Sequence, residues 1–332
     1  MEPSSSTLRP IQKPLTFVQS LELALNLKIR EKVLAVDDLK NTLNAGHSRR
    51  GFLAGVGVLG LAGTLVGCGN DHHTPITKNK ITDADILNFA LNLEYLEAEF
   101  YLRAATGNGL SAADIGANPG AVTGGTQVSF PTATLQQYAF EIAQDELNHV
   151  RFLRQALGSA AVDRPAIDLV NSFNGLAMAA GIGNSFNPFA DSSSFELGAF
   201  VFEDVGVTAY HGAAGLLSSK AYLTAAAGIM AVEAYHAAEV RALIYAGSVA
   251  DPTSPFLGYA NKVSALRASL GGGNETMISA TSIVAADTTN AIAFDRTTDQ
   301  VLHIVYAAGA GVATKGGFFP NGMNGTIKAT AA

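Results

Sequence analysis

Two glutamate–tyrosine pairs and two glutamate–histidine pairs stand in matched order along this chain. The first half carries Glu94 and, seven residues on, Tyr101, then Glu146 and His149 three apart. The second half repeats the pattern with Glu203 and Tyr210, then Glu233 and His236. An arginine follows each histidine by five residues, Arg154 and Arg241. Carboxylates can bridge two cations, and one imidazole per cation completes an end-on position. Four carboxylates and two imidazoles from four segments are therefore a ligand set for two metal ions inside a four-helix bundle. Iron and manganese both suit such a set, and the residues do not choose between them.

The pattern works only on helices, where residues three, four and seven apart share a face. Thr82 with Asp83 and Asp85 is a helix start. Ile86, Phe89, Ala90, Leu93, Leu96 and Phe100 recur at helical spacing after it, predicting a helix over 82–105. Residues 106–130 are rich in Gly, Ala, Ser and Asn and read as a long loop. Pro131 and Thr132 open a second helix, which Gly158 closes. Pro165 and Pro188 mark 159–193 as a crossover, with a short helix near 167–180. A third helix from Ser193 or Ser194 to Leu217 and a fourth over 219–246 are joined tightly, so they are antiparallel neighbours. Further helices are expected over 254–270 and 297–308, in a tail that packs on the bundle. The fold class is all-α, an antiparallel four-helix bundle with a long crossover and a C-terminal helical and loop extension. Its boundaries read 1–67 for an N-terminal extension and export signal, 68–81 for a tether, 82–250 for the bundle and 251–332 for the extension.

Neighbouring residues leave the ligand set open at several points. Glu97 lies one turn from Glu94 and could join or replace it, whereas Gly206 stands at the matching place in the second half. Glu97, Tyr101 and Tyr210 are the candidates for proton handling, with packing as the plain alternative for the tyrosines. Glu99 is off the metal face and reads as solvated. Asp145 could pair with His149. Asp204 is turned about 100° from Glu203. His211 reads as a surface or supporting residue, and His303 as a packed one. Arg154 and Arg241 are expected to pair with carboxylates at the bundle end.

The chain has 332 residues, 48% hydrophobic and 15% charged, enough for a sizeable core. Its net charge of −7 and lack of a basic cluster exclude a nucleic-acid partner. A single cysteine, Cys68, rules out an internal disulfide and a multi-cysteine zinc site. Arg49-Arg50 precedes a Gly/Ala/Val/Leu run that ends in Leu65-Val66-Gly67-Cys68. That is a twin-arginine export signal with a lipobox-like end. Lipid on Cys68 would attach the protein to a membrane without spanning it. The expected location is the periplasm or cell envelope. Cleavage there would leave a remainder more acidic than the whole chain. His72-His73 reads as part of a solvated tether.

The segments Leu93–Tyr101, Asp145–His149 and Val232–His236 resemble those of the ferritin-like superfamily. Rubrerythrins and manganese catalases are its most similar enzymatic patterns. The resemblance covers about 82–325 and is strongest to exported ferritin-like proteins that include plant desiccation-related proteins. The closing Gly316-Gly317-Phe318-Phe319-Pro320-Asn321-Gly322 is similar to that group too. The resemblance implies Glu94, Glu146, His149, Glu203, Glu233 and His236 as metal ligands. Glu97 is similar to the extra carboxylate of rubrerythrins, which supports peroxide chemistry there. The rubredoxin-like cysteines that supply electrons to many rubrerythrins are missing.

Three functions follow. One is an enzyme holding two Fe or Mn ions and acting on hydrogen peroxide or oxygen. A second is a protective envelope protein that uses the bundle as a scaffold in stress or desiccation. A third is iron oxidation and storage, which long loops and a long tail fit poorly. Self-association as a homo-oligomer is compatible with each.

Overall fold

The computed structural model describes residues 81–331. The expected export signal, the lipobox-like Cys68 and the expected tether with His72-His73 fall outside the described residues. Four long helices carry the metal-site residues: α1 (Asp83–Thr106), α2 (Ala133–Leu157), α4 (Ser192–Ala214) and α5 (Lys220–Ala250). Between α2 and α4 lies α3 (Asn171–Ala180), and after α5 come α6 (Phe256–Leu270) and α7 (Thr298–Val305). Two short strands, β1 (Val122–Thr123) and β2 (Ile167–Asp168), pair in parallel and tie the first loop to the crossover. No described helix is long and apolar enough to cross a membrane.

Local chemistry sets the helix ends. Thr82 and Asp85 form a capping box at α1, and Gly107 ends it with φ 80°. Thr132, Asp191 and Ser219 accept from the first turns of α2, α4 and α5. Such caps each contribute about 1 kcal/mol. Helix α4 begins slightly before the expected start because Asp191 supplies that cap. Helix α5 runs on to Ala250 rather than stopping at Ala246. A glycine inside a helix costs only about 1 kcal/mol, so Gly247 does not end it; the Asp251 N–H still bonds back to the Gly247 carbonyl.

The contacts fix the helix directions. Residue 94 meets 149 and residue 88 meets 160, so α1 and α2 are antiparallel. Residue 203 lies beside 236 and 206 beside 233, so α4 and α5 are antiparallel. Residue 94 meets 210 and 101 meets 203, which makes α1 and α4 antiparallel as well. Helices α2 and α4 therefore run parallel, and the chain must return along the bundle between them. The crossover does this.

Burial divides the bundle. Helices α2 and α5 bury one stripe each, whereas α1 is buried on every side from Ile86 to Phe100 and α4 from Leu197 to Tyr210. A helix buried all round needs cover beyond its bundle partners. The loop after α1, the crossover and the C-terminal extension provide it. Asn88 bonds to the backbone of Ala160 and Val162, and Asn92 exchanges two hydrogen bonds with the backbone of Asn324. Asn88 thus ties the crossover to α1, and Asn92 ties the C-terminal extension to it.

Candidate metal centre

Helices α1 and α4 each bear a glutamate and a tyrosine two turns apart. That separation is about 10 Å, too far for the two to bond to each other. In an antiparallel partner, each tyrosine comes level with the other helix's glutamate. The Tyr101 hydroxyl donates to Glu203, and the Tyr210 hydroxyl donates to Glu94. The tyrosines are therefore hydrogen-bonded to candidate ligands, and the pairing runs between helices.

Helices α2 and α5 bring the histidines in from the other side. His149 Nδ1 lies 3.2 Å from Glu94 and 3.5 Å from both Glu146 and Glu233. His236 Nδ1 lies 3.1 Å from Glu146 and 3.6 Å from Glu203. Two groups result, in each of which the potential ligand atoms lie within 4.8 Å of one another. One is Glu94, Glu146, His149 and Glu233; the other is Glu146, Glu203 and His236. Glu146 belongs to both, with Oε2 toward His149 and Oε1 toward His236.

A metal fits this set because the protein leaves its atoms unserved. Both oxygens of Glu146 and of Glu233, Oε2 of Glu203 and Nδ1 of His236 are buried without a hydrogen-bond partner. An unserved buried polar atom costs about 1–3 kcal/mol. Buried carboxylates at this density are normally neutralised by protons, paired or bound to metal.

The protonation pattern without an ion shows the same strain. Burial pushes the Glu146 carboxyl up to about 8, and the Glu94 charge adds to it. Burial and the Glu146 charge push Glu233 up to about 8. Burial raises Glu203 well above the carboxylate range despite opposition from His236, and the Glu233 charge reinforces it. Burial also works to raise Glu94, but the His149 charge and hydrogen bond hold it below its ordinary value. Burial opposes the charge on both histidines; Glu94 raises His149 and Glu203 raises His236 nonetheless. Burial, then the charges of Glu203 and Glu94, raise Tyr101 and Tyr210 respectively. The site thus holds protons that cations would displace.

Glu97 is buried on α1 beside this centre but outside both ligand groups. A Cβ added at Gly206 would lie 2.2 Å from Glu233 Oε2 and 3.5 Å from Glu97 Oε1. Gly206 therefore makes room for the Glu233 carboxylate, while the Glu97 contact would be an ordinary one.

Several neighbours differ from expectation. Asp145 does not face His149; its carboxylate lies 3.2 Å from His236 Nε2, across the bundle. The matching position in the second half is Val232, which has no acceptor. Glu99 is fully buried rather than solvated, paired with Arg103 at 2.9 Å and with Arg164. The loop around Gly109 packs so closely there that a Cβ would sit 2.0 Å from Glu99. Among the described residues Arg154 meets no carboxylate at the bundle end, and it donates instead to the Tyr95 hydroxyl. Arg241 does pair, with Asp204 at 2.8 Å. His211 and His303 bond to the carbonyls of Phe294 and Ala308, away from the ligands. Asp204 also receives Arg267, and Glu275 joins Arg267 to Arg296. This buried network between α4 and the extension had no periodic signal in the sequence.

The comparisons agree with this geometry. A ferritin-like domain model matches residues 82–246, the span of the four long helices. A ferritin-like catalase from Nesocodon mauritianus is 30% identical over 272 residues, covering 74% of this chain and 84% of the relative. This chain belongs to the ferritin-like superfamily. A desiccation-related protein from Craterostigma plantagineum is 32% identical over 254 residues, covering 68% of this chain and 78% of the relative. Both likenesses are longer than the domain match, so this ferritin-like chain resembles its relatives beyond the bundle helices.

Proposed function

We propose that this ferritin-like protein holds two iron or manganese ions and acts on hydrogen peroxide. The observation that carries the reading is the set of buried carboxylate and imidazole atoms that converge without hydrogen-bond partners among the described residues. Glu94, Glu146, His149 and Glu233 would hold one ion and Glu146, Glu203 and His236 the other, with Glu146 shared. A pair of such ions supplies redox change to a bound oxidant. The likeness to a ferritin-like catalase supports peroxide as the substrate.

The chain's own residues do the rest. Tyr101 and Tyr210 keep their protons and act as donors that fix the carboxylates of Glu203 and Glu94. Asp145 holds His236 by Nε2, which turns Nδ1 toward the centre. Burial and the charges of Glu233 and its neighbours raise Glu97 well above the carboxylate range, so it carries a proton beside the centre. Glu97 is the group assigned to give or take a proton as peroxide reacts. The apolar surroundings exclude bulk water.

Metal analysis together with peroxide consumption tests this reading. The expected result is two Fe or Mn per chain, peroxide consumption, and loss of both in the Glu146→Ala, His236→Ala double variant. Protein holding two metals that leaves peroxide untouched refutes the activity. The export signal supports action in the cell envelope, which fractionation of the expressed protein checks. A second reading, protection during drying, draws on the desiccation-related relative. It is favoured if the double variant still protects cells in a drying-survival assay.

A further inference from the structure

The closing motif from Gly316 to Gly322 lies far from the ligands in sequence, yet it ends against their helices. Gly316 and Gly317 have φ values of 140° and 46°. A Cβ at either would strike the backbone, 2.6 Å from the Tyr306 carbonyl oxygen and 2.4 Å from that of Val305. Only glycine permits this approach. It lets the Phe318 N–H donate to the Val305 carbonyl at 2.9 Å, while the Phe318 carbonyl accepts from the Asp168 N–H at 3.0 Å. The ring packs edge-on against Phe202 at 4.9 Å and Phe173 at 5.1 Å. Phe318 is thereby fixed by α7, β2, α3 and α4 at once.

A small cavity of about 20 Å³ lies between α1, α4 and this tail. On the extension side it is lined by Phe318, Ile304 and Val305, and on the bundle side by Glu97 and Gly206 among others. Among the described residues Glu97 is the one polar side chain lining it. Gly206 abuts the Glu233 carboxylate, so the cavity adjoins the candidate ligands without a side chain between. The size suits one or two non-hydrogen atoms, since a single water needs about 10–15 Å³ on the same measure.

We propose that Phe318, backed by Ile304 and Val305, is a size-limiting wall that admits only molecules as small as hydrogen peroxide to the metal centre. The cavity beside Glu97 and Gly206 is the place that receives them. This rests on the peroxide reading above. It also gives the closing motif a purpose: two glycines seat one aromatic ring against the bundle. Alkyl hydroperoxides are excluded because the fixed ring leaves no room for a carbon branch.

The test uses metal-loaded protein with metal content measured for every variant. Wild type, Phe318→Ala and the milder Ile304→Ala are compared for consumption of hydrogen peroxide and of tert-butyl hydroperoxide. Removing part of the wall is expected to raise the tert-butyl to hydrogen peroxide rate ratio by about tenfold or more, the usual scale for pocket-size discrimination. A second readout needs no turnover: calorimetric titration of the metal-loaded proteins with cyanide, which has two non-hydrogen atoms, and with benzoate. Wild type is expected to bind cyanide alone, and the opened variants to bind both. Variants that keep two metals yet show the wild-type rate ratio and still reject benzoate overturn the proposal. If wild type consumes neither peroxide, the functional reading fails, and the cyanide-against-benzoate selection alone decides the wall. Should Phe318→Ala fail to fold, Ile304→Ala carries both readouts.

Discussion

Replacing Gly206 by alanine separates what the fold needs from what the metal centre needs. The new Cβ would lie 2.2 Å from Glu233 Oε2, whereas real contacts of this kind essentially never fall below 3.0 Å. The Glu233 carboxylate must therefore retreat by at least about 0.8 Å. It can do so, because it is the far end of a side chain and neither oxygen is held by a hydrogen bond. For the backbone the change is mild. Alanine in place of glycine within a helix favours the helix by about 1 kcal/mol, which offsets part of the crowding. For a metal the change is large, since ligand distances tolerate only about 0.2 Å. Misplacing a ligating group or its support typically lowers metal affinity by about 10–100-fold. The assay pairs thermal unfolding of metal-free protein with metal stoichiometry and competition against a chelator. The expected result is a metal-free melting temperature near that of wild type and a loss of bound metal from the group containing Glu233. A Gly206→Ala protein that binds two metals with wild-type affinity refutes the assignment of Glu233.

Three further outcomes follow from the same geometry. Asp145→Ala removes the only described carboxylate bonded to His236 Nε2. It should weaken binding at the Glu146, Glu203 and His236 group by about tenfold and spare the His149 group, read as two separated steps in a metal titration. Stability of the metal-free protein should depend on pH in an unusual direction. Glu146 and Glu233 stand at about 8 in the folded chain against 4.5 for the free side chain, so the folded state holds more protons between those values. The stabilisation from holding them is complete below about 4.5 and is lost as pH rises toward 8. The raised histidines act in the same direction, and the lowered Glu94 changes its contribution only below about 4.5, outside this range. Metal-free protein should thus melt at a lower temperature at pH 8 than at pH 5.5. Metal loading at pH 7 should release protons, measurable in a weakly buffered solution with an indicator dye. A melting temperature that rises between pH 5.5 and 8, or loading without proton release, contradicts the protonated site.

The sequence by itself determined the four long helices and the residues that face their common centre. Helical spacing is local physics, and a repeat of Glu, Tyr, Glu and His writes one face of each helix directly. Capping residues such as Thr82, Thr132 and Ser219 marked the starts for the same reason. Tertiary structure alone decided who meets whom. The antiparallel run of α1 and α4 sends Tyr101 to Glu203 and Tyr210 to Glu94, although each tyrosine shares a helix face with the other glutamate. Docking of the loop and crossover buried Glu99 with Arg164, although α1's own pattern placed it in water. Asp145 crossed to His236 because α2 lies beside α5. The tail set Phe318 over the cavity beside Glu97 through two glycine backbones whose partners are carbonyls, not side chains. Such choices depend on long-range packing, which spacing along one helix does not encode.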